Sequence, residues 1–228
     1  MSYHLPLPQQ EKINNYLPVT YFNPKHFWNW FQDNFWNKIY PHQEEEYKTW
    51  LKVHLQYYCR ELNFKLVIDY SNYEKNKLYI SCMGNPLYFP AVSNLIDHAP
   101  KMSRWEFVTL IPQLISHKQI IQGKDPVFHM EGYSFQVSQF HFYPVEVNSL
   151  KQLSIILYIK NWDQLQNKEK ATTKLLEMLT DYLGEVKLFY ILHQAEVRDF
   201  TQTENLNEAY FHICELEDTH KYLVRNLG

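Results

Sequence analysis

Apolar residues recur with a helical period as far as residue 62 and with a strand period directly after it. Tyr47, Trp50, Leu51, His54, Leu55, Tyr58 and Leu62 follow the 3, 4, 7, 8 spacing that puts side chains on one face of an α-helix. Glu44, Glu45 and Glu46 fill the first turn, where negative charge suits the positive end of the helix dipole. From Phe64 the period is two. Phe64–Tyr70 and Leu78–Cys82 flank a polar tip, Ser71–Lys77, and predict a β-hairpin. A chain that switches period over so few residues is neither all-helical nor all-β.

Similar readings extend in both directions. Asn23 and Pro24 predict a helix start, a capping side chain followed by proline at the first helical position. Phe27, Trp28, Phe31, Phe35, Trp36 and Ile39 share one arc of that helix, with Trp30 just beyond its edge, and Pro41 ends it. Two helices with a short joint predict an antiparallel pair. Gly84, Asn85 and Pro86 predict a turn, and Phe89, Val92, Leu95 and Ile96 a short helix closed by Ala99 and Pro100. Further strands are expected at Trp105–Ile111, Val127–Met130, Tyr133–Tyr143 and Leu153–Ile159. Ala171, Leu175, Met178, Leu179, Tyr182 and Leu183 predict a helix that Gly184 stops. Val186–Leu192 reads as a strand, Tyr210–Ile213 as another, and Leu216, His220 and Leu223 as a terminal helix. The expected class is α+β: mostly antiparallel sheet meanders covered by amphipathic helices, with an N-terminal antiparallel helix pair. Without a long linker, residues 1–228 are expected to form a single domain. The strand–strand–helix–strand order of the first half leaves two related half-sheets open.

Composition excludes several chemistries. The chain holds five glycines in 228 residues, and none has the spacing of a dinucleotide fingerprint, a Walker loop or a nucleophile elbow. Those devices need glycine where backbone approaches phosphate or turns sharply. No cofactor is expected. The formal net charge is −3, and Arg60, Arg104, Arg198 and Arg225 are the only arginines. Without a dense basic cluster, nucleic acid is not an expected partner. Cys59, Cys82 and Cys214 form no CxxC pair, which suits a reducing compartment. Met1–Pro18 lacks a basic and then apolar leader, and the longest apolar run, Leu153–Ile159, is far shorter than the ~20 residues of a membrane span. A cytoplasmic protein is expected, with no membrane partner.

Eleven histidines invite a metal or acid–base reading, yet none forms HxH, HxxxH or HExxH, and no metal site is expected. His129, Glu131 and His141 lie on neighbouring candidate strands, where convergence, with His193 near, would give a small hydrolase its catalytic groups. The plainer reading is scattered imidazoles on the polar side of a sheet. Asp97 and His98 sit together at a helix end, but consecutive helical side chains diverge by ~100°. Cys82, beside the Gly84 turn, reads as a small buried hydrophobe.

The anomaly is aromatic: fourteen Phe, six Trp and eighteen Tyr make 17% of the chain. Trp28, Trp30 and Trp36, with Asn85 lining a nearby turn, are the candidate binding residues, because Trp and Tyr concentrate at interfaces. The alternative is a thick core between the helix pair and the sheet.

Trp28-Asn29-Trp30-Phe31, then Gly84-Asn85, Phe89, Val92, Leu95, Ala99-Pro100 and Trp105, with Leu183-Gly184-Glu185 later, resemble the WxWF … GN … F..V..L...AP....W layout of an uncharacterised bacterial protein family, a domain of unknown function. The similarity spans Trp28 to Glu185. Met83 stands where that family often has an acidic residue before the glycine-asparagine turn. The resemblance implies a small cytoplasmic α+β protein and supplies no catalytic residues. The expected function is therefore a non-catalytic binding or regulatory protein that presents an aromatic-rich surface to another protein or a small ligand. A small hydrolase and an immunity-type inhibitor are the alternatives.

Overall fold

Two separate hydrophobic clusters organise the chain, one centred on Phe31, Leu55 and Ile80, the other on Phe142, Leu157 and Leu179. They correspond to two compact units, Gln10–Ile111 and Met1–Gln9 with Pro112–Gly228. The computed structural model describes residues 3–5, 7, 21–35, 41–71, 73–200 and 210–227.

The chain opens with strand β1 (Tyr3–His4), which belongs to the second unit. The first unit begins with helix α1 (Pro24–Phe35), whose second residue, Lys25, donates its N–H to the Asn23 side chain at 2.9 Å. Helix α2 (Glu44–Tyr58) packs beside it, so the N-terminal helix pair is present. Strands β2 (Asn63–Val67) and β3 (Asn76–Ser81) pair antiparallel with Phe64 opposite Ile80, and the Asp69 carboxylate gathers the N–H groups of Ser71 and Glu74 at the tip. Helix α3 (Phe89–Asp97) then carries the chain back, so that β4 (Trp105–Thr109) lies parallel to β3.

One face of α1 turns Phe27, Trp28, Phe31 and Phe35 inward, where they meet Leu51, Leu55, Trp105 and the sheet. An indole N–H lost to apolar surroundings would cost the desolvation of a donor. Among the described residues of this unit both buried indoles find acceptors: Trp28 donates to the Leu95 carbonyl at 2.6 Å and Trp105 to the Phe35 carbonyl at 3.1 Å. Helix α2 is pinned at both ends. Glu44 accepts the Tyr70 hydroxyl at its start, and the Tyr58 hydroxyl donates to the Ala91 carbonyl at its end.

The second unit contains α4 (His117–Ile121), the small hairpin β5 (Phe128–Met130) and β6 (Tyr133–Phe135), then β7 (His141–Val147) and β8 (Leu153–Ile159). Helices α5 (Lys168–Leu183) and α6 (Glu185–Ile191) lead to β9 (Leu192–Asp199), β10 (Phe211–His212) and α7 (Leu216–Leu227). The five-stranded sheet has the order β1-β9-β8-β7-β10. Every residue of β8 is buried, as expected of a central strand covered on both faces.

The α+β class is as expected, and most strand pairs are antiparallel, but two are parallel: β3 with β4 and β8 with β9. Parallel neighbours need a crossover, and helices supply it in both places. Each unit thus winds as an antiparallel strand pair, a helical crossover and a strand parallel to the second.

Two expectations differ locally. Tyr133–Tyr143 is not one strand: a 3-10 turn at Val137–Gln139 divides it, held where Ser138 N–H donates to the Asp125 carboxylate at 3.1 Å. Val186–Leu192 is not a strand either, since Glu185–Ile191 is helix α6. Gly184, at φ +80°, takes a conformation costly for other residues and lets one helix end and the next begin on Leu188, Phe189 and Ile191 facing inward. The strand follows instead as β9, whose inward Asp199 interrupts the apolar alternation while its carboxylate accepts Asp163 N–H at 2.9 Å.

Candidate functional site

Helix α2 carries two apolar stripes. Leu51, Leu55 and Tyr58 face the core. Trp50, Val53 and Tyr57, at i, i+3 and i+7, form a second stripe that is 53, 51 and 65% exposed. Phe22, just before α1, is 63% exposed and stacks on Tyr57 with centroids 5.4 Å apart. On the α1 side Trp30 is half-buried. Its indole stacks on His54 at 3.9 Å with planes 14° apart, and its other neighbours are Phe27 and Phe35.

Between these rings lies a cleft of about 320 Å³ lined by Phe22, His26, Trp30, Val53, His54 and Tyr57 among others. Among the described residues its lining includes no Asp, Glu, Lys or Arg. Burial holds the His54 imidazole below its usual pKa, so the ring is neutral near pH 7. Tyr58, at the base, donates to the Ala91 carbonyl and accepts from Asn94 at 3.0 Å each, and burial pushes its pKa up to about 12. The polar groups at the base are therefore engaged within the fold. Such a cleft offers flat rings, apolar edges and the imidazoles of His26 and His54, with no carboxylate, ammonium or guanidinium among its described lining residues.

The candidate binding residues separate. Trp28 lies in the core at 2% exposure with its N–H on Leu95, so it presents no surface. Trp30 lines the cleft. Trp36 lies outside the described residues. Asn85 caps the turn ahead of α3, accepting Leu87 N–H at 3.1 Å, and is not among the cleft residues. Comparison with protein-family models, curated proteins and solved structures returned no match. The family resemblance accordingly rests on the sequence pattern alone.

The candidate catalytic residues take up different partners. His129, on β5, meets Ser134 of the facing strand at 3.0 Å. Glu131 sits in the β5–β6 turn at φ +51°, and its two carboxylate oxygens accept the N–H groups of Gln166 at 2.6 Å and Asn167 at 3.0 Å. Those backbone bonds hold its pKa below the usual carboxylate range. His129 and Glu131 share an open polar hollow with Lys170 and Lys174. His141, on β7, is not part of it. Its ring packs against Phe200, Tyr210 and His212, and burial followed by the His212 charge lowers its pKa. His98 bonds the Asn94 carbonyl at its own helix end, and Cys82 is buried. Among the described residues no group of three His, Cys, Asp or Glu side chains is placed to hold a metal ion, and no helix is long and apolar enough to cross a membrane.

The sequence pattern does not mark Phe22, Val53 or Tyr57, and its spacing puts Trp50 on the buried face of α2. The available signal was the width of the apolar arc on α2, broader than one packed neighbour requires.

Proposed function

We propose that the chain is a non-catalytic binding module whose α1–α2 cleft receives an apolar, aromatic-bearing segment of a protein partner. The observation that carries this reading is the exposed stripe of Trp50, Val53 and Tyr57 continuing into Phe22 and the cleft. Scattered exposed apolar residues are ordinary, but a contiguous aromatic patch marks an interaction site. A small ligand would need only the cleft. The stripe runs beyond it, about 10 Å along α2 at 1.5 Å per residue, which suits a polypeptide with successive anchors. Rigid rings also bind with little loss of conformational freedom. The uncharged lining favours uncharged anchors such as Trp, Phe or Leu over phosphate or carboxylate groups.

Selection of displayed random peptides on the purified protein tests this. Enriched peptides should carry aromatic or branched anchors, and V53D, a change at a half-exposed position, should weaken them about tenfold or more while leaving the melting temperature near wild type. Peptides that bind V53D as well as wild type, or no enrichment over V53D, would refute the reading. So would sedimentation that shows the stripe covered by a second copy of the chain.

A further inference from the structure

The second unit holds a cysteine–histidine pair remote in sequence from the aromatic cleft. Cys59 and Cys82 are buried, whereas Cys214 is half-buried. Its Sγ lies 3.0 Å from Nδ1 of His212. The other ring nitrogen, Nε2, lies 2.7 Å from the Ser138 carbonyl. A carbonyl oxygen only accepts, so Nε2 carries the proton and Nδ1 offers its lone pair toward the sulfur. Ser138 is held in turn by its N–H bond to Asp125, a carboxylate that is 3% exposed. A nucleophile, a base within hydrogen-bond reach and a group that fixes the base's tautomer are the three parts of an activated nucleophile.

We propose that Cys214 is the reactive thiol of this chain, with His212 as its proton acceptor, and that it exchanges with small disulfides. In that reaction His212 Nδ1 takes the thiol proton as Sγ attacks one sulfur of the disulfide. The S–S bond breaks, a mixed disulfide forms on Cys214, and the departing thiolate recovers the proton from the imidazolium. One thiol and one disulfide are consumed, and one thiol and one mixed disulfide are made.

The surroundings oppose spontaneous ionisation. Burial and the Glu215 carboxylate on the same turn both raise the Cys214 pKa, so the thiol rests protonated and depends on its base. From β7, His141 places its ring 5.3 Å from that of His212. From α5, Tyr182 faces the pair, and burial followed by the charge of Cys214 raises its pKa. The Glu215 carboxylate is engaged by the His212 backbone N–H at 3.0 Å. His212 Nδ1 also accepts the Cys214 backbone N–H at 3.2 Å, as a cap of the short turn. Capping alone would leave the sulfur no faster than an ordinary thiol.

The test is the reaction of the native full-length protein with 2,2′-dithiodipyridine, followed by absorbance and localised by mass spectrometry. Cys214 should react first. Its rate should rise at a pH below the range in which a free thiol ionises. H212N, whose side chain can still cap the turn, should slow it by at least about tenfold and leave only the rise through the thiol range. Equal labelling of the three cysteines would overturn the proposal, as would an H212N rate and pH profile matching wild type. If H212N unfolds, the wild-type profile decides: a rate that rises only near pH 9 refutes it.

Discussion

Trp28 and Trp30 are two residues apart and have opposite fates. The first bonds Leu95 within the core, and the second stacks on His54 at the cleft. Trp28→Ala removes a fully packed ring and leaves the Leu95 carbonyl without this donor, so denaturant unfolding should show a loss of about 3–5 kcal/mol. Trp30→Ala should cost clearly less, because its ring is only half-buried. The sequence placed Trp28 on the apolar arc of α1 and Trp30 just beyond its edge, and that geometry was legible. Which of them met a partner was not, because helical spacing states which face a ring occupies and not what the fold lays against that face. The same limit applies to His129, Glu131 and His141. They are close along the chain, yet the turn at Val137–Gln139 and the capping bonds of Glu131 send them to different neighbours.

Among the elements, α5 depends on a side chain borrowed from a distant hairpin. Glu131 supplies the carboxylate that accepts two N–H groups at its start, and the Asn167 side chain accepts a third, from Lys170, at 2.9 Å. Unsatisfied amides at a helix start are costly, and a negative charge there also suits the dipole. Glu131→Ala should therefore lower the melting temperature and speed amide exchange at Gln166 and Asn167, with little change at Asn85 in the other unit. No reading of local sequence reveals such a cap, since Glu131 and Gln166 are 35 residues apart. Elements with strong internal patterns, such as α3 and β8, were legible almost to their ends, whereas α2 stops at Tyr58, short of the Leu62 that its spacing included. Helix α6 was not. Its β-branched and aromatic run resembles a strand, and only the restart at Gly184 and the inward face of Leu188, Phe189 and Ile191 make it helical. The parallel pairings were also hidden, because a strand's pattern records which face is covered and not the direction of its neighbour.

For the molecule as a whole, most of the shifted groups favour the folded state near neutral pH. Burial lowers His54 and His141 below 6.5. A neutral imidazole favoured in the folded state gives stability that is present above about pH 6.5 and is lost as pH falls through the folded value. Glu44, bonded to Lys48 and Tyr70, Asp69, bonded to Ser71 and Glu74, and Glu131 are also depressed, so their contribution disappears at still lower pH. At the alkaline end, burial raises Cys59 and Cys214 above 9.0 and Tyr58 and Tyr70 to about 12, so stability falls again once the unfolded chain ionises these groups. Thermal melts should therefore plateau between about pH 7 and 8.5 and fall on both sides, in two stages on the acid side. A melting temperature that rises between pH 7 and 5 would contradict this.

The five-stranded sheet ends on both sides in a strand of two residues, β1 and β10. A border that brief covers only the residues it pairs with, Val197 and Glu196 of β9 and Phe142 and His141 of β7, while the strand at the sheet's centre, Leu153–Ile159, is the kind of segment that seeds fibrils when uncovered. The protein thus keeps its most adhesive stretch in the middle of the sheet, where β7 and β9 occupy both of its edges.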